Sequence, residues 1–180
     1  MRPIISNNIS IDQYLNLLRE DPHQFRPACC PHCHTLGRLN YHGIYYRKPD
    51  RENPSHSSLN PIPITRFYCT VCKRTCSVLP ECIPPRRWYL WSSQEKVISK
   101  VIAGSSFCQV AKQTQPSRST ITRWWYRLLE RYPDHRAHLC SRFSWLGYSD
   151  DVAKFWRLLL KRQKLSAAMF VLNHVGVTVP

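Results

Sequence analysis

"CCPHCHTLGRL", residues 29–39, sets three cysteines and two histidines within six positions, and "RFYCTVCKRTCSVLP", residues 66–80, returns to the theme. Each stretch contains a Cys-x2-Cys unit, Cys30–Cys33 in the first and Cys69–Cys72 in the second, with 35 residues between them. Two intervening residues let both thiolates of a tight turn face one ion. A second such turn completes a tetrahedral set at Zn–S distances of about 2.3 Å. The expected ligands are therefore Cys30, Cys33, Cys69 and Cys72, with Zn2+ as the ion. Four protein ligands leave no open position, so the metal is structural and holds a module too small to fold on its own core. A redox Cys-x-x-Cys sits alone at a helix start in a βαβ setting, which is missing here, and nine cysteines fit no disulfide framework.

Other residues crowd the site. Cys29 could replace Cys30 by sliding the turn one residue, and His32 and His34 flank Cys33. Both histidines are expected to point outward, since a histidine inside the loop would compete sterically with the pair. Cys76 and Cys82 read as buried small hydrophobes or spare thiols, and Cys108 and Cys140 as core residues of helices.

Working outward, a short helix from Ile11, capped by Ser10, ends at Asp21-Pro22 and completes an N-terminal lead over 1–28. The cysteine module spans 29–83. Its strands are expected near 38–46 and 64–69, joined by a proline-rich loop over 47–63, with Pro61 and Pro63 holding that end at a sheet edge. Two such turns on β-hairpins make a zinc ribbon. "PPRRWYLW" (84–91) reads as a linker. Beyond it the apolar spacing turns helical, with helices near 93–103, 107–114, 117–131, 135–143, 150–163 and 165–173. The fold class is thus α+β: a small zinc ribbon followed by an all-α bundle.

Residues 92–132 carry a helix-turn-helix pattern. A small residue, Ala111, suits the helix crossing, and a branched one, Ile121, follows ten positions later. Ser117 caps the second helix. On that helix Ile121, Trp124, Trp125 and Leu128 fall on one face, and Arg118, Ser119, Thr122, Arg123 and Tyr126 on the other. A recognition helix reads base edges with its N-terminal residues. Arg118, Ser119, Thr122 and Arg123 are the expected contacts, with Arg127 and Arg131 nearer the DNA backbone. Lys154, on a later helix, is expected to do little. The turn departs from the usual pattern: Gln115 precedes Pro116 where a glycine is common. Residues 133–180 form C-terminal helices that pack on the helix-turn-helix or serve a dimer surface.

The chain carries 26 Lys and Arg against 11 Asp and Glu, a formal charge of +15. A field of that sign attracts polyanions, and double-stranded DNA is the expected partner. No N-terminal apolar core of about 7–15 residues marks an export signal, and no run reaches the ~18–20 apolar residues of a membrane span. The expectation is a cytoplasmic, nucleoid-associated protein with no membrane contact. No Ser–His–Asp set, phosphate loop or His-Glu-x-x-His motif is visible, and the scattered His23, His42, His56, His135, His138 and His174 read as surface or capping residues. A non-enzyme follows as the expectation.

"CPHC…ITRFYCTVCKRTCSVLP" followed by a helix-turn-helix resembles the zinc-ribbon proteins associated with bacterial insertion sequences and their transposases, over about residues 28–165. The resemblance implies that Cys30, Cys33, Cys69 and Cys72 hold zinc. Cys76 stands where those proteins usually have Phe, and His34 where many have Gly. It also implies a DNA-binding accessory protein, regulator or truncated transposase, with a homodimer or a transposase as partner. The alternative is an RNA, single-strand or protein-interaction module that uses the ribbon as platform, with Tyr41, Tyr45, Tyr46, Phe67 and Tyr68 as stacking candidates.

Overall fold

The computed structural model describes residues 4–5, 11–47, 61–81, 83–84, 89–147, 149–177 and 179. Ser10, Cys82, most of the 47–63 loop and part of the 84–91 linker lie outside the described residues. The fold is mixed α+β, with a three-stranded antiparallel sheet and seven α-helices among the described residues. The chain divides into two compact units, residues 1–90 and 91–180.

In the first unit a two-residue strand β1 (Ile4–Ile5) precedes helix α1 (Ile11–Glu20). Ile11, Tyr14 and Leu18 recur at helical spacing and turn inward. After the helix, Asp21 caps a 3-10 turn over Pro22–Phe25. Strands β2 (Leu39–Arg47), β3 (Ile62–Cys69) and β4 (Thr75–Ser77) follow, in sheet order β2-β3-β4, and β5 (Leu79–Pro80) pairs in parallel with β1. The third strand of the sheet, β4, was not expected, so β3 is central rather than an edge strand. Pro63 is still tolerated, because β4 covers only Arg66–Tyr68 and Pro63 faces Tyr46 of β2 alone.

Two small cores sit on this unit. Ile11, Tyr14 and Leu18 of α1 pack with Ile62, Ile64, Leu79 and Ile83, and the Tyr14 hydroxyl donates to the Pro63 carbonyl at 3.0 Å. The other is built of Cys30, Leu39, Phe67, Cys69, Cys76 and Val78. Half of that core is cysteine, which leaves little apolar area to stabilise it.

The second unit is all-helical: α2 (Trp91–Ile102), α3 (Phe107–Gln113), α4 (Arg118–Glu130), α5 (Tyr132–Arg142), α6 (Val152–Arg162) and α7 (Leu165–His174). Starts are written in side chains. Ser106 and Gln109 form a reciprocal capping box on α3, Ser117 caps α4, and Asp151 caps α6. One core gathers Trp91, Ile98, Leu128, Leu139, Phe155, Trp156, Leu159 and Met169 from five helices. The C-terminal helices thus bury their apolar faces against α2 and α5. Phe155 is fully buried, edge-on to both Tyr132 and Trp156. Phe155→Ala is expected to cost about 3–5 kcal/mol in denaturant unfolding of this unit. A loss below about 1 kcal/mol would mean that the packing is looser than described.

His135 and Cys108 depart from expectation. His135 is fully buried, edge-on to Trp156, because it shares the inward face of α5 with Tyr132 and Leu139. Cys108 is exposed, since the short α3 buries only Val110.

Candidate metal centre and basic helix

Cysteine turns at 30–35 and 69–74 have the same backbone design. In the first, Cys30 N–H donates to Thr35 O at 3.0 Å and His34 N–H to Cys30 O at 2.8 Å. In the second, Cys69 N–H donates to Arg74 O at 2.9 Å and Lys73 N–H to Cys69 O at 3.0 Å. The residue after each second cysteine is left-handed, His34 and Lys73 both at φ 59°. That conformation favours glycine and strains any L side chain. His34 therefore keeps the backbone of a glycine position, and the turn geometry outweighs the strain.

These turns aim four sulfurs at one point. Cys30 and Cys72 sulfurs lie 3.7 Å apart, as do those of Cys33 and Cys69, and all four fall within 4.8 Å of one another. A tetrahedron with metal–sulfur bonds of about 2.3 Å has edges of about 3.8 Å. The spacing is too long for disulfides, and the thiols are free. Cys30, Cys33, Cys69 and Cys72 could hold a metal ion.

Electrostatics point the same way. The Thr35 hydroxyl, 3.3 Å from Cys33 Sγ, and the Thr35 backbone pull that thiol down to about 6. Backbone hydrogen bonds from Cys72 and Val71 lower Cys69. Desolvation pushes Cys72 up to about 12. Cys33 and Cys69 are thus drawn toward the thiolate while Cys72 is held protonated, and a bound cation would favour ionising Cys72. Because binding must displace the Cys72 proton, metal uptake releases protons and weakens as pH falls.

In the second unit, α2, α3 and α4 are in mutual contact. Val110, Ile121, Trp124 and Leu128 are buried there. Trp125 is only half-buried at the edge of the core. Opposite them Arg118, Ser119, Arg123 and Tyr126 are exposed and Thr122 is half-exposed. Arg127 is more enclosed than a backbone-contacting arginine needs to be: its Nη1 is buried without a hydrogen-bond partner among the described residues. The turn before α4 is extended at both ends, with Thr114 at φ −137° and Ser117 at φ −61°. It avoids the left-handed residue that a glycine would supply, as Pro116 after Gln115 requires.

The family described as "Domain of unknown function (DUF6431)" matches residues 30–124, more than half of the 180-residue chain. The chain belongs to that family. The DUF6431 match begins on the first clustered cysteine and ends inside α4, so it takes in the thiol cluster, α2, α3 and the first half of α4. No curated protein and no solved structure matches the chain.

Among the described residues no other thiol belongs to the four-sulfur group, although Cys76 packs in the same small core as Cys30 and Cys69. Cys29 bridges to Leu36 through its backbone. Cys76, on β4 opposite Phe67, is buried, and burial raises its thiol to about 11. Cys29→Ser and Cys76→Ser are expected to leave metal content unchanged, with Cys76→Ser destabilising the small core. Metal analysis showing that Cys76→Ser empties the site while Cys69→Ser does not would reverse the ligand assignment.

The strand aromatics are not brought together as a platform. Phe67 is fully buried, and Tyr41 packs against Phe67 and His23. Tyr45 carries the Arg66 guanidinium over its ring. Tyr68 is half-buried beside His42, while Tyr46 is exposed and sits across from Pro63, five residues down β3.

Proposed function

We propose that the chain is a zinc-stabilised, sequence-selective binder of double-stranded DNA, related to mobile elements as a transposase-like accessory protein or regulator, and not itself catalytic. One observation carries the reading. Helix α4 is locked to its neighbours by Ile121, Trp124 and Leu128, while Arg118, Ser119 and Arg123 of its first two turns face solvent. A helix held that way can enter a major groove N-terminus first, with α3 and α4 acting as a helix-turn-helix. Residues 91–180 carry 14 Lys and Arg against 5 Asp and Glu, which supplies the attraction to phosphate.

Zinc is the metal that four thiolates in a closed tetrahedral set favour. The mobile-element association rests on the resemblance of the cysteine turns and the following helices to insertion-sequence proteins. Burial of Phe67 and the engagement of Tyr41 and Tyr45 count against the alternative, a stacking platform for RNA or single strands. A competition assay separates the two. Duplex DNA is expected to displace a labelled duplex far better than a single strand of the same length. Equal displacement would move the function to single-strand binding.

A further inference from the structure

We infer that the exposed face of α6 is a second duplex contact, one that grips phosphates beside the groove entered by α4. The inference rests on the DNA-binding reading of α4 and adds a surface to it. The α6 helix turns Phe155, Trp156 and Leu159 inward. Its outer side carries Lys154, Arg157 and Lys161, all exposed, and Lys164 continues the stripe past the helix end. Lys154, Arg157 and Lys161, three and four residues apart, share one face of the helix, while Lys164 lies beyond the extended Gln163 at the start of α7.

At its N-terminal end such a stripe works against its own helix, although Lys161 stands in the last turn, where the helix dipole favours a cation. Like charges at i, i+3 and i, i+4 repel. Lys154 stands in the first turn, where the helix dipole disfavours a cation. Three acids lie near the stripe, each already engaged: Asp150 pairs with Arg136, Asp151 caps the helix through the Lys154 amide, and Glu95 accepts from the Leu165 amide beside Lys164. Arg162 lies over the Trp145 ring and is not part of the stripe. A stripe that repels itself this way is suited to an external polyanion.

Placement ties the stripe to the DNA-reading helices. Arg157 Nη2 donates to Ile102 O at 2.9 Å, which fastens α6 to the C-terminal end of α2. Two residues earlier on α2, Lys100 Nζ donates to Gln113 Oε1 at 2.7 Å, at the end of α3. The turn from Gln113 leads directly to Arg118. Both α3 and α6 are thus fastened to the last turn of α2. On this inference one duplex meets α4 and α6 together, and Lys154, expected to do little, contributes.

The test uses the full chain and a labelled mixed-sequence duplex of about 30 base pairs, since phosphate contacts carry no sequence information. In Lys154→Gln/Lys161→Gln/Lys164→Gln, the slope of log K against log salt is expected to become shallower by about 2–3, at about 0.9 per lost contact. Lys154→Gln and Lys161→Gln alone should each remove about 0.9, which keeps the test readable if the triple variant unfolds. Arg19→Gln/Arg26→Gln/Arg142→Gln removes as much charge from other exposed sites and should leave the slope near wild type. An unchanged slope in the α6 variants, or an equal loss in the control, overturns the α6 contact. The α4 reading then stands if Arg118→Ala and Arg123→Ala still weaken binding. A wild-type chain that binds no duplex overturns both.

Discussion

Cys30→Ser or Cys72→Ser is expected to empty the metal site and unfold the cysteine-bearing sheet, while residues 91–180 remain helical. The core around the cluster is Leu39, Phe67, Val78 and the cysteines themselves. A core that small supplies only a few kcal/mol. Were the ion zinc, a structural site of that kind would contribute on the order of 10–16 kcal/mol in apparent terms, more than this small core supplies. The serine hydroxyl does not replace a thiolate, and the three remaining sulfurs are left crowded around a vacated point. Metal analysis should fall from about one ion per chain to near none, and proteolysis should cut within 61–81 while sparing the helical unit. A strong chelator should do the same to the wild-type chain. A metal-free variant with an intact sheet would show that the four thiols are packed without need of an ion.

Much of this was legible in the sequence for identifiable reasons. The thiol cluster was readable because two residues between cysteines fix a turn, and both turns came out alike. The helices were readable because Ile121, Trp124 and Leu128, or Phe155, Trp156 and Leu159, recur at helical spacing, and because Ser106, Ser117 and Asp151 mark starts. Strand β4 was hidden, since three residues, Thr75–Ser77, show no period. His135 was misread because a polar side chain carries no burial signal, whereas its i−3 and i+4 neighbours Tyr132 and Leu139 do. The left-handed backbone of His34 carries little local signal in the sequence. The link from Arg157 to Ile102 joins residues 55 apart in sequence, and no local pattern encodes it.

Arg118→Ala and Arg123→Ala are expected to weaken duplex binding by about 1–3 kcal/mol each if they read base edges, and to relax preference at one base position. Both side chains are exposed, and the Arg123 guanidinium lies 3.5 Å from Thr120 Oγ1, so truncation should leave the helix intact. Arg127→Ala is a different case. Its partly buried guanidinium contributes packing, so stability should fall along with affinity.

The most direct measurement is a titration of the metal-loaded chain with labelled duplex across salt concentrations. With six phosphate contacts, affinity should fall roughly a thousandfold between 50 and 200 mM salt. The double variant Arg118→Ala/Arg123→Ala should bind far more weakly at every salt. A wild-type chain whose duplex affinity ignores salt, or whose binding is untouched by both arginine substitutions, would contradict the account.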